Sequence, residues 1–330
     1  MIVPENRTWI RIVFYMTGTA LGRVRVRLLT ITLVAVAVTI IHELYPLFRT
    51  TLTATPFTLV GLALSIFLGF RNNTSYDRFW EGRKLWGALV NTARTLARQS
   101  TTLLGPMPGP MPGPVPGPVP GAPAAEALDD AAVTGHRRAL VHAMIGYAHA
   151  LRMHLREIDD LEPLRPFLDP ALVDSLGAEQ NRPFAILRHL GQRLRAAWTD
   201  GLVHPMHLPA LDATLVALAD IQGGCERIKS TPIPFPYTVL IHRIVAVYCL
   251  AMPFGLVDTI GPWTPMVVLF VAYTFLGLDA LGDEIEDPFG TDPSDLPLDA
   301  LCRTIEVNLR QALGEIDVPP MLAPVDDLLL

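Results

Sequence analysis

Twenty-one consecutive residues, Thr50 to Phe70, carry no charged side chain, and a second run of twenty, Thr259 to Leu278, matches it late in the chain. A helix rises about 1.5 Å per residue, so about 20 such residues cross the hydrocarbon core of a bilayer. Two other intervals approach that length. Leu28 to His42 is uncharged and continues past Glu43 to Phe48; Ile244 to Val257 holds 14 uncharged residues after the polar-aromatic run Pro232 to Arg243. Both reach a full span if Glu43 and Arg243 sit at an interface or face protein. Composition agrees, since only 18% of residues are charged and mean hydropathy is +0.35, against about a quarter charged in a soluble domain. The expectation is an all-α, polytopic membrane protein with four transmembrane helices and a helical cytosolic body.

Charge gives the orientation. The first 100 residues hold 12 Arg/Lys and 4 Asp/Glu, whereas the last 100 hold 3 and 14. Arg23, Arg25 and Arg27 precede the first span, and Arg71, Arg78, Arg83 and Lys84 follow the second. The cytoplasmic excess of basic residues therefore puts both ends of this hairpin inside, with Arg49 in the short connection the one discordant charge. The apolar run starts too late for a secretory signal and no small-residue cleavage site follows it. Cys225, Cys249 and Cys302 are odd in number and widely spaced, which implies three buried thiols rather than a disulfide framework.

The chain divides by composition. Residues 1–104 form an N-terminal segment, the first transmembrane hairpin and the helix that leaves it, which is expected to end near Ser100. After Leu104 comes GPMPGPMPGPVPGPVPGAP. Proline lacks the amide donor and glycine weakens helices, so residues 105–125 read as a solvated, partly polyproline-like linker. Residues 126–231 form a cytosolic helical region, with an amphipathic helix over His136 to Leu161 and further helices over Phe184 to Trp198 and Leu211 to Ile228. A second transmembrane hairpin occupies 232–281, and an acidic cytosolic segment 282–330.

Chemistry-bearing motifs are sparse. No phosphate-binding loop, G-x-S-x-G or H-E-x-x-H occurs, and the spacings of His136, His142, His149 and His154 place no tight ligand pair on one helix face. The run GDEIEDPFGTDPSDLPLD supplies Asp283, Glu284, Glu286, Asp287, Asp292 and Asp295, oxygen donors suited to calcium or magnesium, in a register unlike an EF-hand loop. A plainer use is pairing with the basic first hairpin at the cytosolic face. The second span then offers a pore element. Leu62, Ile66 and Phe70 share one helical face, Gly61, Ser65 and Gly69 form a small-residue series beside it, and the polar stretch Arg71 to Ser75 follows without a break. A ring of such helices would set bulky apolar residues at a constriction that gates by dewetting. Tyr76, Phe79, Trp80 and Trp86 are expected to pack the helix into the cytosolic body, with Arg78, Glu81 and Arg83 pairing there with acids.

The blocks FRNNTSYDRFWEGRKLWG, GGCERIKSTPIPFPYTVLIHR, MPFGLVD and GLDALGDEIEDPFGTDPSDLPLDA resemble the bestrophin family, specifically its bacterial branch, over about Ile12 to Leu313. The resemblance implies a homopentameric ion channel of the bacterial inner membrane, with four spans per subunit and both termini cytosolic. It implies one axial pore whose neck falls on Leu62, Ile66 and Phe70, with a second, cytosolic aperture near Met206. Animal members clasp calcium with a run of acids after Pro-Phe-Gly. Here Thr291-Asp292-Pro293-Ser294-Asp295 follows Pro288-Phe289-Gly290 and lacks most of that run, so no cofactor is called for, calcium being the one candidate. The partners expected are further copies of the chain, membrane lipid and permeating monovalent ions, with no nucleic acid and no enzymatic step. The ion sign stays open between chloride and sodium or potassium. Two other readings compete: a membrane enzyme holding a divalent metal in the acidic cluster, and a non-conducting scaffold.

Overall fold

A computed structural model describes residues 1–2, 20–45, 53–105 and 130–329. The described residues are helical, with only isolated β-bridges and no strand among them. In chain order the helices are α1 (Ala20–Leu44), α2 (Ala54–Leu103), α3 (Asp130–Leu155), α4 (Pro170–Leu176), α5 (Arg182–Thr199), α6 (Leu208–Ser230), α7 (Phe235–Ile260), α8 (Thr264–Glu286) and α9 (Leu298–Ala312). The Gly/Pro repeat, save Gly105, and Arg49 lie outside the described residues. α2 is one unbroken helix of 50 residues. It passes Ser100 by three residues, because Ser100, Thr101 and Thr102 satisfy their hydroxyls on carbonyls of the preceding turn and do not compete for the backbone.

The chain forms two compact units. The first comprises Met1–Gly82, Ile228–Leu296 and Val325–Leu328; the second comprises Arg83–Arg227 and Pro297–Pro324. The core of the first is built from alternating three- and four-residue steps. Val24, Leu28, Ile31 and Ala35 of α1 meet Leu64 and Leu68 of α2, Val245, Cys249 and Met252 of α7, and Val268, Ala272 and Phe275 of α8. Yet the outward faces of the same helices are apolar as well, as at Leu29, Leu33, Val247 and Phe270. A helix that is apolar all round needs an apolar surrounding on both sides. By length and composition three stretches can cross a membrane: Gly22–Leu44, Ala54–Leu103 and Phe235–Glu286. The third contains both α7 and α8, joined through a single 3-10 turn at Gly261–Trp263, where Gly261 takes φ +54°. The sequence therefore leads to four apolar helices where the structure has three continuous apolar stretches.

The second unit has an ordinary hydrophobic core. Leu140, Met144, Tyr147 and Leu151 recur along one face of α3 and are fully buried. Tyr147 Oη donates to Leu218 O at 3.0 Å and to Gln222 Oε1 at 3.3 Å, so its hydroxyl is satisfied inside the core. Gln99 of α2 bridges to α6, donating to Ala210 O and accepting from Thr214 Oγ1. Arg152 of α3 and Arg156, just past its end, both hold Asp299 at the start of α9. Burial works to raise the carboxyl pKa of Asp299, but the two guanidinium groups outweigh it and hold the group below its ordinary value.

Candidate pore-lining site

Within the first unit α2 has two distinct faces. Gly61, Leu64, Leu68, Arg71 and Ser75, spaced three and four apart, are buried. On the other side Leu62 is 63% exposed, Ile66 51% and Phe70 62%. Such a row keeps more than half of its apolar surface uncovered within one chain. The small-residue series divides in the same way. A Cβ on Gly61 would stand 2.5 Å from Tyr248 Oη of α7, so glycine lets the two helices approach, whereas a Cβ on Gly69 meets nothing within 4 Å.

Arg71 follows Phe70 directly at the head of the polar stretch Arg71 to Ser75, yet it does not face outward. Its side chain is fully buried. Nη1 donates to Asp279 Oδ1 at 2.8 Å and Nη2 to Asp283, both on α8. His242 of α7 joins them, its Nδ1 2.6 Å from Asp279 Oδ2 and its Nε2 3.4 Å from Asp283 Oδ2. One guanidinium, one imidazole and two carboxylates thus tie three helices together behind the exposed apolar row. The cause is register: Arg71 continues the stripe of Leu64 and Leu68 and is carried inward with it. A signal existed in the sequence, since Asp279 interrupts α8 directly after twenty uncharged residues and needs a buried partner.

Beyond this point the anchoring residues behave differently from one another. Arg78 bonds to carbonyl oxygens rather than carboxylates, donating to Glu286 O at 3.0 Å, Thr231 O at 2.5 Å and Ile228 O at 2.6 Å. Its planar fork collects the orphan carbonyls at the ends of α6 and α8. Tyr76 and Trp80 stack with ring centroids 6.5 Å apart, but both remain about half exposed instead of packing inward. Phe79 and Glu81 are half-buried and Arg83 is exposed. Trp86 is completely buried in the second unit. Met206 sits on the 3-10 turn Pro205–His207, 78% exposed, its amide donating to His204 Nδ1.

The acidic cluster does not converge. Asp283 faces Arg71, Glu284 accepts from Ser294, Glu286 accepts from the amide of Ile233, and Asp287 pairs with Lys229. Asp292 pairs with Arg23, so that with Arg71–Asp283 the basic N-terminal hairpin meets the acidic segment at two ion pairs among the described residues. Asp295 is buried and accepts from the Asp292 amide at 2.7 Å; burial pushes its carboxyl up to about 6. Among the described residues no group of three or more His, Cys, Asp or Glu is arranged to hold a metal ion.

The described residues thus form a helical membrane protein whose longest helix among them presents an exposed apolar face. The family model for bacterial and fungal bestrophin proteins matches residues 1–311, and the chain belongs to that family. A voltage-dependent anion channel-forming protein of Mesorhizobium japonicum is 37% identical over 326 residues, covering 99% of this chain and 96% of its own length. One from Ralstonia nicotianae is 38% identical over 315 residues, covering 96% and 95%. The crystal structure of a bacterial bestrophin homologue from Klebsiella pneumoniae aligns with a TM-score of 0.77 at 35% identity, over 88% of this chain and 99% of that one. The chain is accordingly a channel-family protein and not an enzyme.

Proposed function

We propose that the chain is one subunit of a homopentameric channel of the bacterial inner membrane that conducts monovalent anions passively. α1, α2, α7 and α8 each cross the bilayer, and both termini lie in the cytosol, a topology supported by the basic residues flanking the first hairpin. Five copies of α2 turn Leu62, Ile66 and Phe70 toward a common axis and form a narrow apolar neck. Met206 narrows the cytosolic end of the path, and residues 126–231 and 282–330 form the cytosolic body. Arg78 holds the continuation of α2 in place through its three bonds to carbonyl oxygens. The voltage-dependent anion channel-forming relatives support anions over sodium or potassium, and voltage-dependent conduction is part of this proposal.

One observation carries this reading: three large apolar side chains stand exposed along one helix face whose opposite face is fully committed to the core. An apolar ring gates by excluding water, so smaller side chains wet it and open it. In purified protein reconstituted into liposomes, Ile66→Ala and Phe70→Ala are expected to raise chloride efflux at least several-fold over wild type. Efflux unchanged in both variants would remove the neck from α2.

A further inference from the structure

A cavity of about 610 Å³ lies in the second unit among α3, the segment before α4, α4 itself and α5. Its walls are mainly apolar, including Phe167, Leu168 and Leu172. Two polar side chains enter it from α5, His189 and Arg193, one turn apart and so on the same face. The buried Nε of Arg193 has no hydrogen-bond partner, and no carboxylate forms an ion pair with Arg193 among the described residues. The acid in the lining, Asp169, is engaged elsewhere, its carboxylate accepting from the Ala171 amide at 2.9 Å as the cap of α4. Arg193 as a whole is half-buried, and its terminal nitrogens form no bond within the described residues, which leaves their donors available to an anionic group in the cavity.

We propose that this cavity binds a small monocarboxylate with an apolar body, the carboxylate held by Arg193 and the body lying against Phe167, Leu168 and Leu172. The volume falls within the range of small-molecule sites, about 300–1,000 Å³, and the lining has their usual form of apolar walls with a few converging polar groups. A single guanidinium matches a single carboxylate in fork geometry. A second negative charge has no partner here and is repelled by Asp169. His189 is held below its ordinary imidazole value by burial and by Arg193, so at neutral pH it contributes a hydrogen bond rather than a second charge.

The site makes no use of conduction, so it is tested by binding alone. The experiment is isothermal titration of the purified full-length protein in detergent with sodium hexanoate. Hexanol, with the same body and no charge, and inorganic phosphate, with charge and no body, serve as comparisons. Hexanoate is expected to bind with 1:1 stoichiometry per chain and at least tenfold more tightly than either comparison. Arg193→Gln is expected to weaken it at least tenfold and Arg193→Lys to restore part of the loss. Leu172→Glu, which leaves Arg193 in place but offers it an internal carboxylate, is expected to abolish binding. Hexanoate titrating equally into wild type and Arg193→Gln overturns the proposal, as does phosphate binding as tightly as hexanoate or no binding by wild type. Dissociation of the oligomer by Arg193→Gln also overturns it, because the occupant is then a carboxylate of a second copy.

Discussion

Arg71 shows how one residue can matter to the proposed neck without lining it. Its guanidinium is fully buried against Asp279 and Asp283 one position after Phe70. Deleting one member of a buried ionic cluster leaves the others uncompensated, at a cost of about 3–5 kcal/mol, whereas the intact cluster is worth little beyond an apolar replacement. Arg71→Ala is therefore expected to lower the detergent melting temperature sharply, read by size-exclusion after heating, while exposed Arg83→Ala leaves it nearly unchanged. Equal melting of the two variants would contradict the burial of Arg71.

His149 makes a comparable argument about pH. Its ring stacks on Phe167 at 5.2 Å, both ring nitrogens are buried without a partner, and burial, aided by Arg152 and Arg303, lowers its pKa to about 4. The unfolded chain binds a proton at this residue near pH 6.5, whereas the folded chain resists it. Stability from this group is thus full above pH 6.5 and declines as pH falls toward about 4, by roughly 3 kcal/mol over the window. His149→Phe is expected to flatten that part of a pH–stability profile; an unchanged slope would place the titration elsewhere.

At the scale of the element, α2 carries an alternation that can be tested with two glycines. Gly61 lies against Tyr248 and Gly69 faces open space. Gly61→Ala is expected to destabilise the protein by about 1–3 kcal/mol through overpacking, and Gly69→Ala to leave it unchanged or slightly stabilise the helix. The same helix shows what the sequence reveals and what it conceals. Apolar runs and the 62-66-70 face are local patterns, so the helix and its apolar row are legible from the chain alone. The role of Arg71 is not, because a charge following an apolar span looks like a membrane boundary. Its partners, Asp279 and Asp283, lie more than 200 residues away. Nor do Tyr76 and Trp80 betray their exposure, since aromatic residues at helical spacing read as core whether or not one chain supplies the neighbours.

For the whole molecule, the long apolar helices, the family and the exposed row on α2 point the same way. A chain that leaves Leu62, Ile66 and Phe70 exposed has room for further copies on that face, and the proposed ring of five would cover it. The acidic segment, read first as a candidate divalent-cation site, is instead spent on partners scattered along the first unit: Arg71, Ser294, the Ile233 amide, Lys229 and Arg23. Conduction by the proposed assembly is therefore expected to persist when calcium is removed with a chelator.

The most direct test is the reversal potential in a planar bilayer holding purified protein between asymmetric potassium chloride solutions, recorded for wild type and for Phe70→Ala. An anion pore with its neck on α2 reverses near the chloride equilibrium potential in both, with a larger conductance in the variant. Reversal near the potassium potential, or identical conductance in the two proteins, would contradict it.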